Sequence, residues 1–272
     1  MMFSDNLLTT IFQTALIAAQ SAGQFIMENV GKAIEINYKG RANAVTEIDR
    51  RSEEIIVSQI HDAFPNHRII AEECGEVQTN SEFRWIIDPL DGTTNFIHGY
   101  PCFSVSIAVE YQNEIIIGVV YNPVLDELFT AIQNRGAFLN RKPIHVSKIS
   151  TLADSLTATG FPYETDTIFE SNMEIFRAVY RKCQGVRRAG SAALDVCYVA
   201  AGRFDGFWEF GLNPWDISAG ALIVQEAGGI VGDFNGVKFK PDNVSQIIAT
   251  NGKIHAELLK IINQTLSVFN GE

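Results

Sequence analysis

Two aspartates three residues apart, in Trp85-Ile86-Ile87-Asp88-Pro89-Leu90-Asp91-Gly92-Thr93-Thr94-Asn95, carry the strongest chemical signal in the chain. Arg84 to Ile87 is rich in β-formers and reads as the end of a buried strand, where Pro89 removes a ladder donor and stops the pairing. Asp88 and Asp91 would leave that strand end across a turn, so their oxygens can converge on one point, which suits a hard cation. Gly92 permits a sharp reversal. Thr93, Thr94 and Asn95 are residue types that open a helix, whose first N–H groups and positive dipole end attract an anion. Cation and phosphate would lie side by side. Asp, Pro, Gly and Thr are also ordinary turn formers, but the ordered string strand-Asp-Pro-x-Asp-Gly-Thr-Thr argues for a site.

Other carboxylates stand at comparable places. Glu72 and Glu73 follow the short strand Arg68 to Ala71, so one of them is a candidate third ligand; successive residues alternate faces, which turns the other away. Carboxylates with no His or Cys beside them favour Mg²⁺ over Zn²⁺; His98 reads as a turn residue. Thr46-Glu47-Ile48-Asp49 has the spacing of a capping box at the start of a second helix, which makes Asp49 either a first-turn carboxylate or a member of the site. Asp216 opens a long apolar helix, where it reads as a cap. Gly190-Ser191-Ala192-Ala193 begins another helix with small residues, which allow close packing or close approach of backbone N–H groups to a ligand. Arg187 and Arg188 form the densest basic spot nearby, as solvated surface or as a bidentate clamp for a second phosphate.

The elements that must position these residues follow from periodicity and punctuation. A first helix is expected from about Ser4 to Val30, with Ser4 as cap and Gly31 ending it. A strand follows at Ile34 to Tyr38, then a polar loop bearing Lys39, then the second helix with Ile55, Ile56, Ile60 and Phe64. Phe103 to Tyr111, Ile115 to Tyr121 and Phe129 to Ile132 read as a β-meander. The polar stretch Ser147 to Asp154 marks the division between an α+β half, residues 1–146, that carries most of the candidate ligands and an α/β half, residues 147–272, that carries Asp216. In the latter, strands at Ser155 to Thr159, Gly185 to Arg188, Phe207 to Phe210 and Ile247 to Thr250 alternate with helices at Thr167 to Arg181, Ala192 to Ala201, Trp215 to Val224 and Lys253 to Phe269, which implies parallel or mixed strands.

Composition narrows the classes. With 272 residues and 46% hydrophobic content the chain can bury a sizeable core. A formal net charge of −11 argues against direct nucleic-acid binding and means that an anionic substrate would need cations as intermediaries. Cys74, Cys102, Cys183 and Cys197 form no C-x-x-C pair, which favours reduced thiols and a cytoplasmic location. The apolar residues of the first twenty fall at helical spacing, with Asp5 and Gln13 among them and no basic residue before them, so they read as an amphipathic helix and not a signal peptide. No run approaches the roughly 20 apolar residues that cross a bilayer.

W-I-I-D-P-L-D-G-T-T-N-F resembles the signature of the inositol monophosphatase family, lithium-sensitive, magnesium-dependent phosphomonoesterases. Trp215-Asp216-Ile217-Ser218-Ala219-Gly220 is similar to the family's second motif, W-D-x-x-A-G, and the resemblance extends over nearly the whole chain. It implies a layered α-β-α-β-α sandwich of the inositol monophosphatase and fructose-1,6-bisphosphatase type. It also implies two Mg²⁺ ions and a third, weaker one, held by Glu72, Asp88, the Leu90 carbonyl, Asp91 and Asp216. Through V-T-E-I-D, Asp49 is implied, with Thr93, to orient the attacking water. Gly92 and Thr93 would take the phosphate, and Asp91, Gly190, Ser191, Ala192, Glu209 and Asp216 would surround the substrate. Lys39 lies near the family's loop lysine, although the loop length differs. Leu212-Asn213-Pro214 before the second motif resembles bacterial members. The implied substrate is inositol-1-phosphate, with fructose 1,6-bisphosphate, histidinol phosphate and 3′-phosphoadenosine 5′-phosphate as those of relatives sharing these ligands. Family members commonly form dimers, and some bacterial relatives associate with the transcription machinery, so a homodimer and a transcription-complex protein partner are both implied.

Overall fold

The computed structural model describes residues 4–32, 36–38, 44–77, 79–162 and 165–270. Lys39 and the start of the strand expected at Ile34 lie outside them. Helix α1 (Asp5–Asn29) starts where Ser4 Oγ accepts the Leu7 N–H at 3.2 Å, and it buries Leu8, Ile11, Ala15, Ala19, Ala22 and Ile26 along one face. A two-stranded ribbon, β1 (Ile36–Tyr38) with β2 (Ala44–Thr46), leads into α2 (Glu47–Ala63), whose capping box is closed by Thr46 and Asp49 as the spacing predicts.

Eight strands then form one sheet: β3 (Arg68–Ala71), β4 (Gly75–Val77), β5 (Phe83–Asp91), β6 (Ser104–Tyr111), β7 (Glu114–Asn122), β8 (Glu127–Ile132), β9 (Ala137–Leu139) and β10 (Lys142–Pro143), in the order β10-β9-β8-β7-β6-β5-β3-β4. β6 to β8 are the expected meander. Pro89 does not end β5. The ladder with β6 runs to Asp88↔Ser106 and resumes at Asp91↔Ser104, so three steps on β5 oppose two on β6. One extra residue is thereby absorbed as a bulge, which places the proline where no ladder donor is needed and lets pairing continue. In a regular strand, residues three apart face opposite ways; the bulge returns Asp88 and Asp91 to one side.

After the short helix α3 (Thr93–Ile97) and the meander, the chain passes through Ser147 to Asp154, where Asn251 Nδ2 donates to Ser147 Oγ (2.8 Å) and to the Ile149 carbonyl (2.9 Å). The second sheet holds β11 (Leu156–Thr159), β12 (Gly185–Arg187), β13 (Gly206–Phe210), β14 (Ile230–Gly232) and β15 (Gln246–Thr250), in the order β12-β11-β13-β15-β14. It is mixed: β11 is parallel to β12 and β13, whereas β15 is antiparallel to β13 and β14. Its helices are α4 (Thr167–Tyr180), α5 (Ala192–Ala200), α6 (Pro214–Glu226) and α7 (His255–Asn270).

The five layers follow from which faces are apolar. α1 and α2 cover one face of the large sheet, closing a core around Ile11, Ile56, Trp85 and Ile107. α5 and α6 lie between the two sheets in a core containing Ile86, Val120, Leu194, Phe207 and Ile223. α4 and α7 cover the outer face of the small sheet over Trp208, Ile248, Ile175 and Leu258. This is the α-β-α-β-α sandwich. α6 is buried on nearly all sides, from Ile217 through Val224, because it serves both sheets. Among the described residues no helix is long and apolar enough to cross a membrane.

Candidate active site

Glu72 and Asp88 meet because β3 and β5 run parallel. Ala71 is in register with Ile87, so the residues that follow leave neighbouring strands at the same end, and the Glu72 N–H donates to the Ile87 carbonyl at 3.3 Å. The loop after β3 is held from below by Glu53 of α2, which accepts the N–H groups of Glu73 (2.8 Å) and Cys74 (2.7 Å). Ser52, one residue earlier, donates to the Pro89 carbonyl at 2.9 Å and braces the bulge. Asp88, 1% exposed, accepts the Leu90 N–H at 2.9 Å.

Asp91 joins the two halves of the cavity. Its Oδ2 accepts Ser191 Oγ (2.5 Å), the Ala193 N–H (2.9 Å) and, more distantly, Ser104 Oγ (3.4 Å), which draws the start of α5 onto the end of β5. Gly92 has φ +96°, and a Cβ there would stand 2.9 Å from the Cys102 carbonyl oxygen, so glycine is required both for the turn and for the space. Asn95 in α3 spans the same junction, donating to the carbonyls of Cys102 (2.6 Å) and Ala189 (2.8 Å). Thr93 Oγ1 donates to Asp49 Oδ1 at 2.6 Å and lies 3.1 Å from the Leu90 carbonyl oxygen. The other Asp49 oxygen accepts both the N–H (2.7 Å) and the hydroxyl (2.6 Å) of Thr46. Asp49 therefore stands behind the cavity wall and touches the site through Thr93.

The remaining wall comes from the second half of the chain. Asp216 enters at the start of α6, its Oδ2 accepting the Asn213 N–H at 2.7 Å, while the Trp215 carbonyl is tied to β6 by Ser106 Oγ at 3.1 Å. Asp216 is thus cap and cavity residue at once. Glu72, Asp88, Leu90, Asp91, Gly92, Thr93, Gly190, Ser191, Ala192, Glu209 and Asp216 all line one cavity of about 400 Å³. Glu73 does not line it, in keeping with the alternation. Asp195 and Arg188 do, whereas Arg187 does not.

Burial is the leading influence on the acids here. It lifts Asp88 well above the usual carboxylate range, and the charges of Glu72, Asp91 and Asp216 lift it further. It pushes Asp91 up to about 6 against the lowering effect of its hydrogen bonds, and Asp216 up to about 8. Asp49 and Glu209 are raised by burial as well, Glu209 strongly. Mutually repelling, buried, oxygen-only donors fit a hard divalent cation, whose charge would reverse these shifts. Among the described residues no three His, Cys, Asp or Glu side chains close on a single ion.

Sequence reading missed the supporting residues. Asp195 left a signal, being the one charge in the apolar helix Ala192–Ala200. Glu53, Ser52 and Ser104 left none, because their roles depend on what packs against them.

The relatives of the chain define its class, a hydrolase of the phosphatase type. The model for the inositol monophosphatase family matches residues 7–267. An inositol-1-monophosphatase from Synechocystis sp. is 47% identical over 97% of this chain and 92% of its own length. A Nus factor SuhB from Pseudomonas aeruginosa is 45% identical over 93% and 95%. Among solved structures, the extragenic suppressor protein suhB from Bartonella henselae superposes with a TM-score of 0.88 at 41% identity, over 93% of this chain and 98% of that one. Inositol monophosphatase from Anabaena gives 0.83 at 39%, over 94% and 96%. The chain belongs to the inositol monophosphatase family.

Proposed function

We propose that this phosphatase is a Mg²⁺-dependent phosphomonoesterase that converts inositol-1-phosphate to inositol and phosphate. The observation that carries the reading is the convergence of Glu72, Asp88, Asp91 and Asp216 on one cavity beside the bonded pair of Thr93 and Asp49. Glu72, Asp88 and the Leu90 carbonyl would hold one Mg²⁺ and Asp88, Asp91 and Asp216 a second, with a third, weaker ion near Glu72. When bound, the cations lower the pKa of water and offset the charge of the ester and of the leaving alkoxide.

Thr93 commits its hydroxyl hydrogen to Asp49 and keeps lone pairs that accept a hydrogen from water, which orients the nucleophile. Asp49, held on its other oxygen by Thr46, fixes that rotamer and is the acceptor at which the proton comes to rest. The N–H groups of Gly92 and Thr93 would take the phosphate oxygens at the start of α3. Ser191, Ala192 and Glu209 border the alcohol.

Phosphate release from inositol-1-phosphate, fructose 1,6-bisphosphate, histidinol phosphate and 3′-phosphoadenosine 5′-phosphate, with and without a chelator, tests the reading. The highest kcat/KM is expected for inositol-1-phosphate, with activity lost on chelation and restored by Mg²⁺. A better rate on another ester would replace the substrate, and chelator-resistant turnover would remove the metal. A second reading, favoured by the relatives called Nus factor SuhB at 43–48% identity, is association with a transcription complex through protein contacts, the chain acting as a homodimer. Recovery of RNA polymerase by an inactive Asp91→Asn variant would support it; its absence from the pulldown would count against it.

A further inference from the structure

Two glycines with left-handed backbone meet where the halves of the chain touch. Gly92 (φ +96°) follows β5 and Gly190 (φ +90°) precedes α5, and a Cβ on Gly92 would stand 3.2 Å from the Gly190 carbonyl oxygen. Asn95 holds this seam closed. Its Nδ2 donates to the Cys102 carbonyl in one half and to the Ala189 carbonyl in the other, which occupies both of its hydrogens, and a Cβ on Gly190 would stand 3.0 Å from the same nitrogen. Ala189 lies between β12 and α5 and belongs to neither, so its carbonyl depends on a side chain for a donor. Asp91 holds the chain on the other side of Gly190, through Ser191 and Ala193. Asp216 is secured separately. Ser106 Oγ donates to the Trp215 carbonyl, and a Cβ on Gly118 would stand 2.6 Å from the Ala219 carbonyl oxygen, so α6 rests directly on the large sheet.

We propose that Asn95 is a positioning residue that sets the alcohol side of the cavity, residues 190–192, against the phosphate side at Gly92 and Thr93. The proposal rests on the phosphomonoesterase reading and deepens it. Asn95 does not line the cavity, so it acts through the backbone that it holds. An ester with a sizeable alcohol portion spans the seam, and its reacting bond is placed by both sides at once. A displacement of about 1 Å between them costs on the order of 10²-fold in rate. An ester with almost no alcohol portion is held from the phosphate side and is indifferent to where the other side stands. The bonds of the Asn95 side chain go to backbone carbonyls and not to the carboxylates, and α6 carries Asp216 on its own supports, so Mg²⁺ binding is spared.

The test compares inositol-1-phosphate with methyl phosphate, whose alcohol portion is a single carbon, using the full chain and saturating Mg²⁺. Asn95→Asp keeps the size and shape of the side chain but faces two carbonyl oxygens with a carboxylate that donates nothing; Asn95→Ala removes the contact. For Asn95→Asp, kcat/KM on inositol-1-phosphate should fall about 30- to 100-fold and on methyl phosphate about threefold or less, with Asn95→Ala between it and wild type. Mg²⁺ affinity, read by calorimetry, should stay within about threefold of wild type. Thr93→Val, by contrast, should lower the rate on both esters alike. Equal losses on both esters in the Asn95 variants, a loss of Mg²⁺ affinity of about tenfold or more, or an unchanged preference would overturn the assignment. Should Asn95→Asp fail to fold, Asn95→Ser, with one short donor left, gives the same comparison with a smaller split. If the wild type prefers another of the four esters named above, the substrate reading falls, and the comparison of that ester with methyl phosphate still decides the role of Asn95.

Discussion

The cavity wall formed by residues 88–93 and the wall formed by Asp195, Glu209 and Asp216 are built in opposite ways. The first is a contiguous stretch: one bulged strand end turns Asp88, Asp91 and Thr93 inward within six residues, and local geometry does most of the positioning. The second gathers the start of α5, the end of β13 and the start of α6, and exists only because both sheets share the middle helical layer. Asp91 links the two through Ser191 and Ala193. A motif of the first kind suits chemistry common to a family, whereas a wall of the second kind can vary with the leaving group, since each residue sits on a different element.

The comparison breaks most visibly at Asp91. Asp91→Asn can turn its carbonyl oxygen to the three donors that hold it and so should fold, yet should lose about 10³-fold or more in kcat. Retained turnover at saturating Mg²⁺ would show that the first wall does not carry the chemistry. Thr93→Val keeps the shape but removes the hydroxyl between Asp49 and the cavity. A fall of about 10²-fold in kcat with little change in KM is expected; a change confined to KM would make Thr93 a binding group. Glu53 touches no substrate and acts through the loop bearing Glu72. Glu53→Gln should weaken Mg²⁺ binding by about tenfold, read by calorimetry, with kcat nearly recovered at high Mg²⁺. Unchanged affinity would limit Glu53 to structural support.

The smallest effect concerns pH. In the metal-free chain burial lifts Asp91 to about 6 and Asp216 to about 8 from an ordinary value of 3.8. A carboxyl whose folded pKa stands above its unfolded one holds its proton more tightly when folded. The stability associated with that proton is complete below about pH 4 and is lost as pH rises through the folded values. Between about pH 5 and 8 the Tm of the chelated protein should fall, and Asp216→Asn should lessen the fall by roughly 2–4 °C. Mg²⁺ should restore Tm most at the upper end, where no proton competes for the ligands. An identical pH dependence in wild type and Asp216→Asn would separate Asp216 from the buried cluster.

Local order made several elements legible. The caps at Ser4 and Thr46, the apolar stripe of α1 and the meander depend on neighbours within a few residues, and all formed where spacing placed them. The end of β5 did not: Pro89 reads locally as a strand breaker, and only pairing with β6 shows that a bulge absorbs it. Strands β4, β9, β10 and β14, of two or three residues each, are too short to show any period and depend on the neighbours that pair with them.

By itself the sequence determined the chemical identity of the donors and the local turns that present them, because carboxylate type, capping and chain reversal are set by adjacent residues. Tertiary structure decided that Glu72 lies beside Asp88, and that Asp91 and Asp216 line one cavity. Glu72 and Asp88 are 16 positions apart and Asp91 and Asp216 are 125 apart, and parallel strand register and shared helical packing, not spacing along the chain, bring such residues to one cavity.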